Sequence, residues 1–390
     1  MLLQTTLGAS HVLGHVGGDR LHLLNASAAE LWQLYQLSDD KDAARSLSQK
    51  LTVDFGLAKA EATNQSEALL LYWRQNGLLQ VGLQWPNATL APPCNWVIAP
   101  PFLETTQSMT LTVRLAGLWF GVVVEDAQLI APLSVLLSSV LMIGSERLAH
   151  VLFLSGTKNQ WQLAVNEQIT ATGQGLENAL TQVLHTLIDL ACQAEERLLV
   201  IHGAGLKLTD GRGVLLIAPG GSGKTTLATA LNAHGYPLLS DDVVPVTTEG
   251  ELLGLGTPIC LKAGSWPVLA TLRPDIAETP TLERFDQTVR YLPPLGAGSA
   301  APIPLGLLLF PRYQPDSAPH CQALSPEAAL QHIIEADAVI RNLTQSKLDA
   351  LARWVSSVPA YALCYPDLDS ALALVRQQVK HLPQWEETRL

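Results

Sequence analysis

The 390-residue chain is poor in cysteine, methionine and basic side chains. Its five cysteines form no C-x-x-C pair, which argues against a zinc knuckle and against a disulfide framework, so we expect a reduced, cytoplasmic protein. Lysine and arginine number 24 against 35 aspartates and glutamates, and no basic run occurs. Because affinity for nucleic acid comes mainly from clustered basic residues, we expect no nucleic-acid partner.

Signals for a membrane or a secretory route are also missing. The N-terminus has no charged region followed by a long apolar run, so no secretory signal is expected. The span Ala127–Ser145 carries no charge, but it contains Pro132 and several polar residues and lacks basic flanks. We therefore expect a buried helix there and no membrane partner. With 48% hydrophobic and 15% charged residues, the chain can form two or three globular domains.

A glycine-rich loop follows an apolar strand at residues 214–226, which read V-L-L-I-A-P-G-G-S-G-K-T-T. In a P-loop of this kind the backbone N–H groups converge on a phosphate, the lysine adds a mobile cation and the first hydroxyl binds magnesium. The first position is Ala218 where the strict pattern has glycine. An ordinary Gly/Ser turn is the alternative. We expect a nucleotide site for ATP and Mg²⁺ made by Gly220, Gly221, Ser222, Gly223, Lys224, Thr225 and Thr226.

An acidic pair, Asp241 and Asp242, follows the next predicted strand, Pro237–Ser240. We expect this strand to lie next to the P-loop strand, so that one carboxylate can hold the metal while the other accepts the proton of an attacking hydroxyl. A plain acidic turn or a helix cap is the alternative. His202 ends another predicted strand just before the P-loop, where it is either catalytic or a core or turn residue.

Residues 1–85 form a first domain. Three short helical patterns and a terminal strand at Leu78–Trp85 predict a small winged-helix-like module, with Ser27 and Glu30 of the first helix in capping-box spacing. Six basic against eight acidic residues in this range favour a protein or peptide partner over DNA. A helical cap that only stabilises its neighbour is the alternative.

Three further segments complete the chain. Residues 86–105 are a proline-rich linker, and residues 106–196 predict an α/β subdomain of two strand pairs and one amphipathic helix that packs on the P-loop domain. Residues 197–390 form the P-loop domain, whose C-terminal helices we assign to scaffold. A homo-oligomer is compatible with these helices but has no signal of its own.

The first domain resembles the PqqD-like peptide-recognition domains through Leu24-Asn25-x-x-Ala28-x-x-x-Trp32 and the exit Asn76-Gly77-Leu-Leu. This resemblance implies that a precursor peptide would add as a strand to the exposed edge of the module's sheet, where main-chain hydrogen bonds give affinity.

Residues 197–246 resemble the HPr serine kinase family through Ile201-His202-Gly203, the P-loop and Ser240-Asp241-Asp242. The resemblance implies a fold like that of phosphoenolpyruvate carboxykinase. Lys224 and the loop glycines would hold the β- and γ-phosphates, Thr225 and Asp242 the magnesium, Asp241 would be the general base, and His202 would lie near the transferred phosphate.

Downstream, the second signature of those kinases is missing from residues 254–262, so the reverse phosphorolysis reaction is not expected. The segments Leu261–Ser265, Val289–Pro294 and Phe310–Tyr313 instead resemble divergent HPr-kinase-related proteins of peptide-biosynthesis systems. Arg290 and Arg312 in these segments are candidates for a phosphate clamp, because guanidinium forks suit phosphate oxygens. Structural ion pairs are the alternative for each arginine.

The sequence thus predicts an α/β protein: a P-loop kinase core with a small N-terminal winged-helix-like domain. Its expected activity is ATP-dependent phosphorylation of a Ser or Thr hydroxyl in a precursor peptide or small protein that residues 1–85 recruit. Two alternatives stay open, a nucleotide-gated peptide-binding chaperone without kinase turnover and a small-molecule kinase.

Overall fold

The computed structural model describes residues 1–38, 42–79, 108–144, 146–194, 196–284, 287–296 and 301–383. Ten helices and several sheets within these ranges give a mixed α/β protein, as the sequence predicts. The predicted linker 86–105 and the end of the predicted strand Leu78–Trp85 lie outside the described residues. In the described part of the chain, no helix is both long and apolar enough to cross a membrane.

The chain divides into two compact units. Unit 1 comprises Met1–Ala91, Ser325–Gln331 and Ile340–Ser357, and unit 2 comprises Pro92–Leu324, His332–Val339 and Val358–Leu390. Two segments that the sequence assigns to the P-loop domain are therefore grouped with the N-terminal residues.

Unit 1 begins with a three-stranded antiparallel sheet in the order β1-β2-β3, followed by three helices. The bounds are β1 Leu2–Leu7, β2 Ser10–His15, β3 Leu21–Leu24, α1 Ala26–Leu37, α2 Ala43–Val53 and α3 Lys59–Gln75. The three helices confirm the helical patterns in the sequence, and the β1–β2 hairpin is an addition to them.

The core of unit 1 is aromatic and aliphatic. The rings of Trp32 and Trp73 meet edge to face with centroids 4.9 Å apart, and Leu47 and Leu51 of α2 pack in the same cluster. The capping box predicted at Ser27 and Glu30 is wrong. Helix α1 starts two residues earlier, where the Asn25 side chain accepts a hydrogen bond from the Ala28 N–H at 2.9 Å.

The first part of unit 2 is a five-stranded sheet in the order β4-β5-β6-β7-β8, with two helices on one face. Its elements are β4 Met109–Leu115, β5 Leu118–Val124, α4 Ala127–Leu136, β6 His150–Thr157, β7 Gln160–Val165, β8 Gln168–Gly173 and α5 Leu176–Cys192. The predicted strand pairs and the amphipathic helix are confirmed. The helix expected over Ala127–Ser145 ends at Leu136, because the following segment instead pairs with β4: the Arg114 N–H donates to the Val140 carbonyl and the Met142 N–H to the Thr112 carbonyl.

The rest of the chain alternates strands with short helices. The bounds are β9 Arg197–Lys207, β10 Gly213–Ile217, α6 Lys224–Ala233, β11 Leu238–Ser240, β12 Val243–Thr247, β13 Glu251–Leu252, β14 Ile259–Lys262, α7 Trp266–Leu269, β15 Thr281–Arg284, β16 Gln287–Leu292, β17 Ile303–Tyr313, β18 His320–Ala323, α8 Pro326–Glu335, α9 Gln345–Ser357, β19 Ala360–Tyr365 and α10 Leu368–His381. Of these, α9 belongs to unit 1, where it packs on β1. Asp367 caps α10 by accepting a hydrogen bond from the Ser370 N–H at 2.7 Å.

The P-loop strand β10 lies between β9, which runs antiparallel to it, and β17, which runs parallel. Strand β11, which delivers the acidic pair, pairs with β9 and not with β10, so the expectation that it neighbours the P-loop strand is wrong. The physical reason is the length of β9, whose eleven residues give β11 and β12 one edge and β10 the other. His202 consequently lies in the middle of β9, opposite Val243, and does not end a strand.

Candidate functional site

The loop between β10 and α6 is built for close approach to its backbone. All five residues of β10 are buried, which anchors the start of the loop in the core. Gly221 and Gly223 have φ angles of 81° and 89°, a region that side chains rarely adopt, and Gly223 is the N-cap of α6. No atom lies within 4 Å of a Cβ built at Gly220 or Gly221, so the space beside these two positions of the loop is open. This geometry suits an anion at a helix N-terminus.

Lys224 opens α6 and turns back over the loop. Its ammonium group donates hydrogen bonds to the carbonyl oxygens of Ala218 and Pro219, the second at 3.1 Å. The residue is only 6% exposed, and burial lowers its pKa while the charges of Asp241 and Asp242 oppose that shift. Carbonyl oxygens at the start of the loop thus hold the predicted phosphate-binding cation.

Asp241 is a buried carboxylate without a satisfied hydrogen bond. The residue is 5% exposed, and no donor makes a well-formed hydrogen bond to its carboxylate oxygens, although the Thr225 hydroxyl lies nearby. Burial, reinforced by the neighbouring Asp242, raises its pKa to about 7, while the nearby Thr225 hydroxyl and Lys224 act in the opposite direction. Buried polar atoms are nearly always paired in folded proteins, so this poorly paired carboxylate beside the P-loop threonine is a candidate ligand-binding group.

Asp242 is more accessible and adopts a strained backbone conformation. Its φ angle is 72°, in the left-handed region, and its side chain is 39% exposed. One carboxylate oxygen lies 3.3 Å from Nδ1 of His202, and the other accepts a hydrogen bond from Nη2 of Arg284, also at 3.3 Å. The strain and these two contacts hold the carboxylate in one orientation at the end of β11.

Arg284 is a site residue that the sequence analysis missed. It ends β15, a strand joined to β16 of a separate three-stranded sheet, so no local motif links it to the acidic pair. Besides Asp242, its guanidinium donates to the Cys260 sulfur of β14 at 3.3 Å. The sequence around Arg284 shows a basic residue at the end of a short strand pattern, which does not by itself indicate a functional site.

Helix α5 brings the imidazole of His185 near the same charges, from a region that shows no chemistry in its sequence. Burial is the main cause that lowers the pKa of this imidazole. The charge of Arg284 also lowers it, and the charges of Asp189 and Asp242 oppose the shift. The Glu177 carboxylate at the start of the same helix accepts a hydrogen bond from the Glu283 N–H at 2.8 Å. Helix α5 therefore fixes the strand that carries Arg284.

The two predicted clamp arginines take different positions. Arg290 stacks on Trp266, with its guanidinium carbon 4.2 Å from the ring centroid, and donates a hydrogen bond to the Ile276 carbonyl. Its guanidinium thus has structural partners. Arg312 is exposed near the end of β17.

Lys262 and Ser265 lie in a short loop that docks on the first turn of α6. The hydroxyls of Thr226 and Ser265 are 2.8 Å apart. Lys262 is exposed, has no ion pair within the described ranges, and its charge helps to lower the pKa of Lys224. A second cation therefore lies near the phosphate loop, in the segment where the sequence analysis placed an HPr-kinase-related pattern.

The donor set fits magnesium only together with a nucleotide. Among the described residues, no group of three or more histidine, cysteine, aspartate or glutamate side chains could hold a metal ion by itself. Magnesium is commonly bound through one or two carboxylates, with substrate phosphates and water supplying the other oxygens. The poorly paired oxygens of Asp241, next to the Thr225 hydroxyl, fit that arrangement.

We compared the chain with protein-family models and with curated proteins. No protein-family model matches the chain, and no curated protein matches it.

Proposed function

We propose that the chain is an ATP-dependent kinase of the HPr serine kinase type, with a phosphoenolpyruvate carboxykinase-like P-loop core in unit 2. The observation that carries this proposal is the position of two unlike carboxylates beside one P-loop: Asp241 buried near Thr225, and Asp242 accessible and held by His202 and Arg284. A structural turn has no need of a poorly paired buried carboxylate.

The geometry favours a division of labour that reverses the sequence-based one. A general base must reach the hydroxyl of a large acceptor, and the oxygens of Asp241 are buried beside the P-loop hydroxyl of Thr225. Asp242 is accessible and has an imidazole at 3.3 Å. The raised pKa of Asp241 would suit a base, but access decides between the two. We therefore assign Asp241 and Thr225 to magnesium and Asp242 to the acceptor hydroxyl.

In the proposed reaction, the loop amides and Lys224 bind the β- and γ-phosphates of ATP. Thr225 and Asp241 would hold Mg²⁺, which would supply charge neutralisation for those phosphates. Asp242 takes the proton of the acceptor hydroxyl while the oxygen of that hydroxyl forms a bond to the γ-phosphorus. The bond between the γ-phosphorus and the β–γ bridging oxygen breaks, and ADP leaves. Arg284 and His202 orient Asp242, and Lys262 adds positive charge near the transferred group.

We further propose that the acceptor is a Ser or Thr hydroxyl of a precursor peptide or small protein that binds unit 1. Strand β3 is an edge of the three-stranded sheet and pairs only with β2 among the described residues. An exposed strand edge is the structural requirement for a peptide that adds as a further strand.

The test is incubation of the protein with γ-labelled ATP, Mg²⁺ and candidate precursor peptides, followed by mass spectrometry of the peptides. The proposal expects one added phosphate on a Ser or Thr with the native protein and none with Asp242→Asn. Asn tolerates the left-handed backbone conformation of this position, so the variant keeps the local fold. ATP that binds without any transfer to a peptide would contradict the kinase assignment.

A further inference from the structure

A cavity of about 410 Å³ opens beside the first turn of α6, within unit 2. This volume falls in the range of about 300–1,000 Å³ that is typical of small-molecule sites. Its walls come from the P-loop helix, the segment after β14, the ends of β17 and β19, and the start of α10. The lining residues include Gly223, Thr226, Gly264, Ser265, Tyr313 and Tyr365.

Two tyrosines give the cavity an aromatic wall. The ring centroids of Tyr313 and Tyr365 are 6.2 Å apart, with Tyr365 buried and Tyr313 53% exposed. Aromatic faces of this kind stack on the planar ring of a nucleobase without requiring a particular base.

Charge separates this cavity from the phosphate loop. None of the residues that line it is a lysine, arginine or histidine, and its one ionisable acid is Asp367. The phosphate-binding cations Lys224 and Lys262 are not among the lining residues. A phosphate group would therefore meet no positive side chain here, whereas an uncharged ring and its hydroxyls would find aromatic faces and the hydroxyls of Thr226 and Ser265.

Neighbouring residues of α6 connect the two regions. Thr225 faces Asp241, and Thr226 contacts Ser265 at the cavity wall. Consecutive helix residues project about 100° apart around the axis, so the carboxylates and the cavity lie on different sides of the same turn. One ligand can hold its phosphates on the loop and its opposite end in the cavity.

We propose that this cavity binds the nucleoside part of the nucleotide, with the base against Tyr313 and Tyr365 and the ribose near Thr226 and Ser265. This inference depends on one part of the proposed function, the binding of a triphosphate at the P-loop. Phosphoryl transfer itself is not required.

Gly264→Phe tests the proposal by filling the cavity. The position has no left-handed φ and no atom within 4 Å of an added Cβ, so the backbone accepts a side chain. Val135→Phe is the matched control, because Val135 lies on α4, is 71% exposed and does not line the cavity. The measurement is the dissociation constant, by calorimetry with Mg²⁺, of ATP and of inorganic tripolyphosphate for each variant.

We expect Gly264→Phe to weaken ATP about 10-fold or more, a loss of about 1.4 kcal/mol, and to change tripolyphosphate less than about 2-fold. Val135→Phe should change neither constant. Equal losses for both ligands, or an unchanged ATP constant, would overturn the proposal. So would an unchanged ATP constant with a raised KM for the acceptor peptide, which would assign the cavity to the acceptor.

Tyr313 provides a second test that does not depend on the bulky substitution. Its side chain is half exposed, so Tyr313→Ala should fold, and we expect it to weaken ATP about 5-fold or more while Tyr313→Phe stays near native. If ATP binding depends on these residues but the protein transfers no phosphate, the nucleoside site is supported and the kinase assignment is wrong.

Discussion

Asp241 couples the candidate site to the stability of the fold. Burial raises its pKa from 3.8 to about 7, so the folded state keeps a proton that the unfolded chain has lost. Between these two values the folded state binds more protons than the unfolded state. The stabilising contribution is therefore fully present below about pH 4 and is lost as the pH rises through about 7.

Asp241→Asn should remove this pH dependence, because the amide has a similar shape and no charge. Three pKa units at about 1.4 kcal/mol each set an upper limit of about 4 kcal/mol on the cost of the ionised carboxylate. We expect the variant to be more stable than the native protein by about 2–4 kcal/mol at pH 8 and by much less at pH 5. Urea unfolding with EDTA and without nucleotide measures this difference.

Asp242→Asn is the control for that experiment, since its side chain is 39% exposed and its charge is solvated. Its free energy of unfolding should change by about 1 kcal/mol or less at either pH. If both variants respond alike, the burial of Asp241 is not the cause of the pH dependence.

Arg284 should matter for turnover more than for stability. Its guanidinium orients Asp242 through a hydrogen bond of 3.3 Å, so Arg284→Gln should lower kcat about 10-fold or more and leave the KM for ATP nearly unchanged. Arg290→Gln is the matched comparison. It removes the stacking on Trp266 and should lower the melting temperature but not the kcat of the folded enzyme. Steady-state kinetics and thermal unfolding of both variants separate the two roles, and an unaltered kcat in Arg284→Gln would remove it from the site.

The difference between predictable and unpredictable site residues follows from sequence distance. Lys224 and Thr225 belong to one short loop with a recognisable spacing, and Asp241 and Asp242 end the next strand. Arg284 reaches Asp242 from 42 positions away through a separate sheet, and His185 comes from an earlier helix. No local pattern encodes such an approach, because it depends on how sheets pack.

At the scale of elements, the loop from Lys262 to Ser265 is fastened to α6 by the hydroxyl pair Thr226 and Ser265. Lys262→Gln should therefore weaken tripolyphosphate and ATP to the same extent, about 3- to 10-fold, because it removes a charge near the phosphates and does not touch the cavity wall. Raising the salt concentration should reduce the difference between variant and native protein. Calorimetric titration at two ionic strengths checks this, and a loss confined to ATP would contradict it.

The elements themselves were largely predictable where the hydrophobic pattern is strong. Strand β10, helix α6 and strand β11 appear close to their predicted positions. Their pairing was not predictable, because β9 pairs with other strands along both of its edges and no sequence pattern indicates which strand takes which edge. The start of α1 illustrates a smaller effect: Ser27 and Asn25 both suit a helix cap, and Asn25 takes the position because β3 ends at Leu24.

At the scale of the whole molecule, unit 1 combines N-terminal residues with two segments from the C-terminal part of the chain. Unit 1 also contains Ser325–Gln331 and Ile340–Ser357, and helix α9 packs on strand β1. The Gln345 side chain donates a hydrogen bond to the backbone carbonyl of Gln4 at 2.9 Å, and the Gly17 N–H donates to the Leu343 carbonyl at 2.9 Å. A sequence pass cannot see this arrangement, since the two parts are more than 300 residues apart.

Removing residues 1–85 should for this reason damage more than peptide recognition. Helix α9 would lose the strand on which it packs and would expose part of its apolar face, whose Leu348 and Leu351 are buried in the intact chain. We expect the truncated protein to bind a hydrophobic dye, to melt several degrees lower and to aggregate more readily than the full chain. Dye fluorescence and thermal unfolding measure these changes.

The comparison protein is a full-length chain with Val53→Asp on the exposed end of α2, which keeps every contact of α9 and should behave as the native protein does. A truncated chain that melts at the native temperature without binding dye would show that α9 is stable without β1, and deletion could then be used as a clean test of peptide recognition.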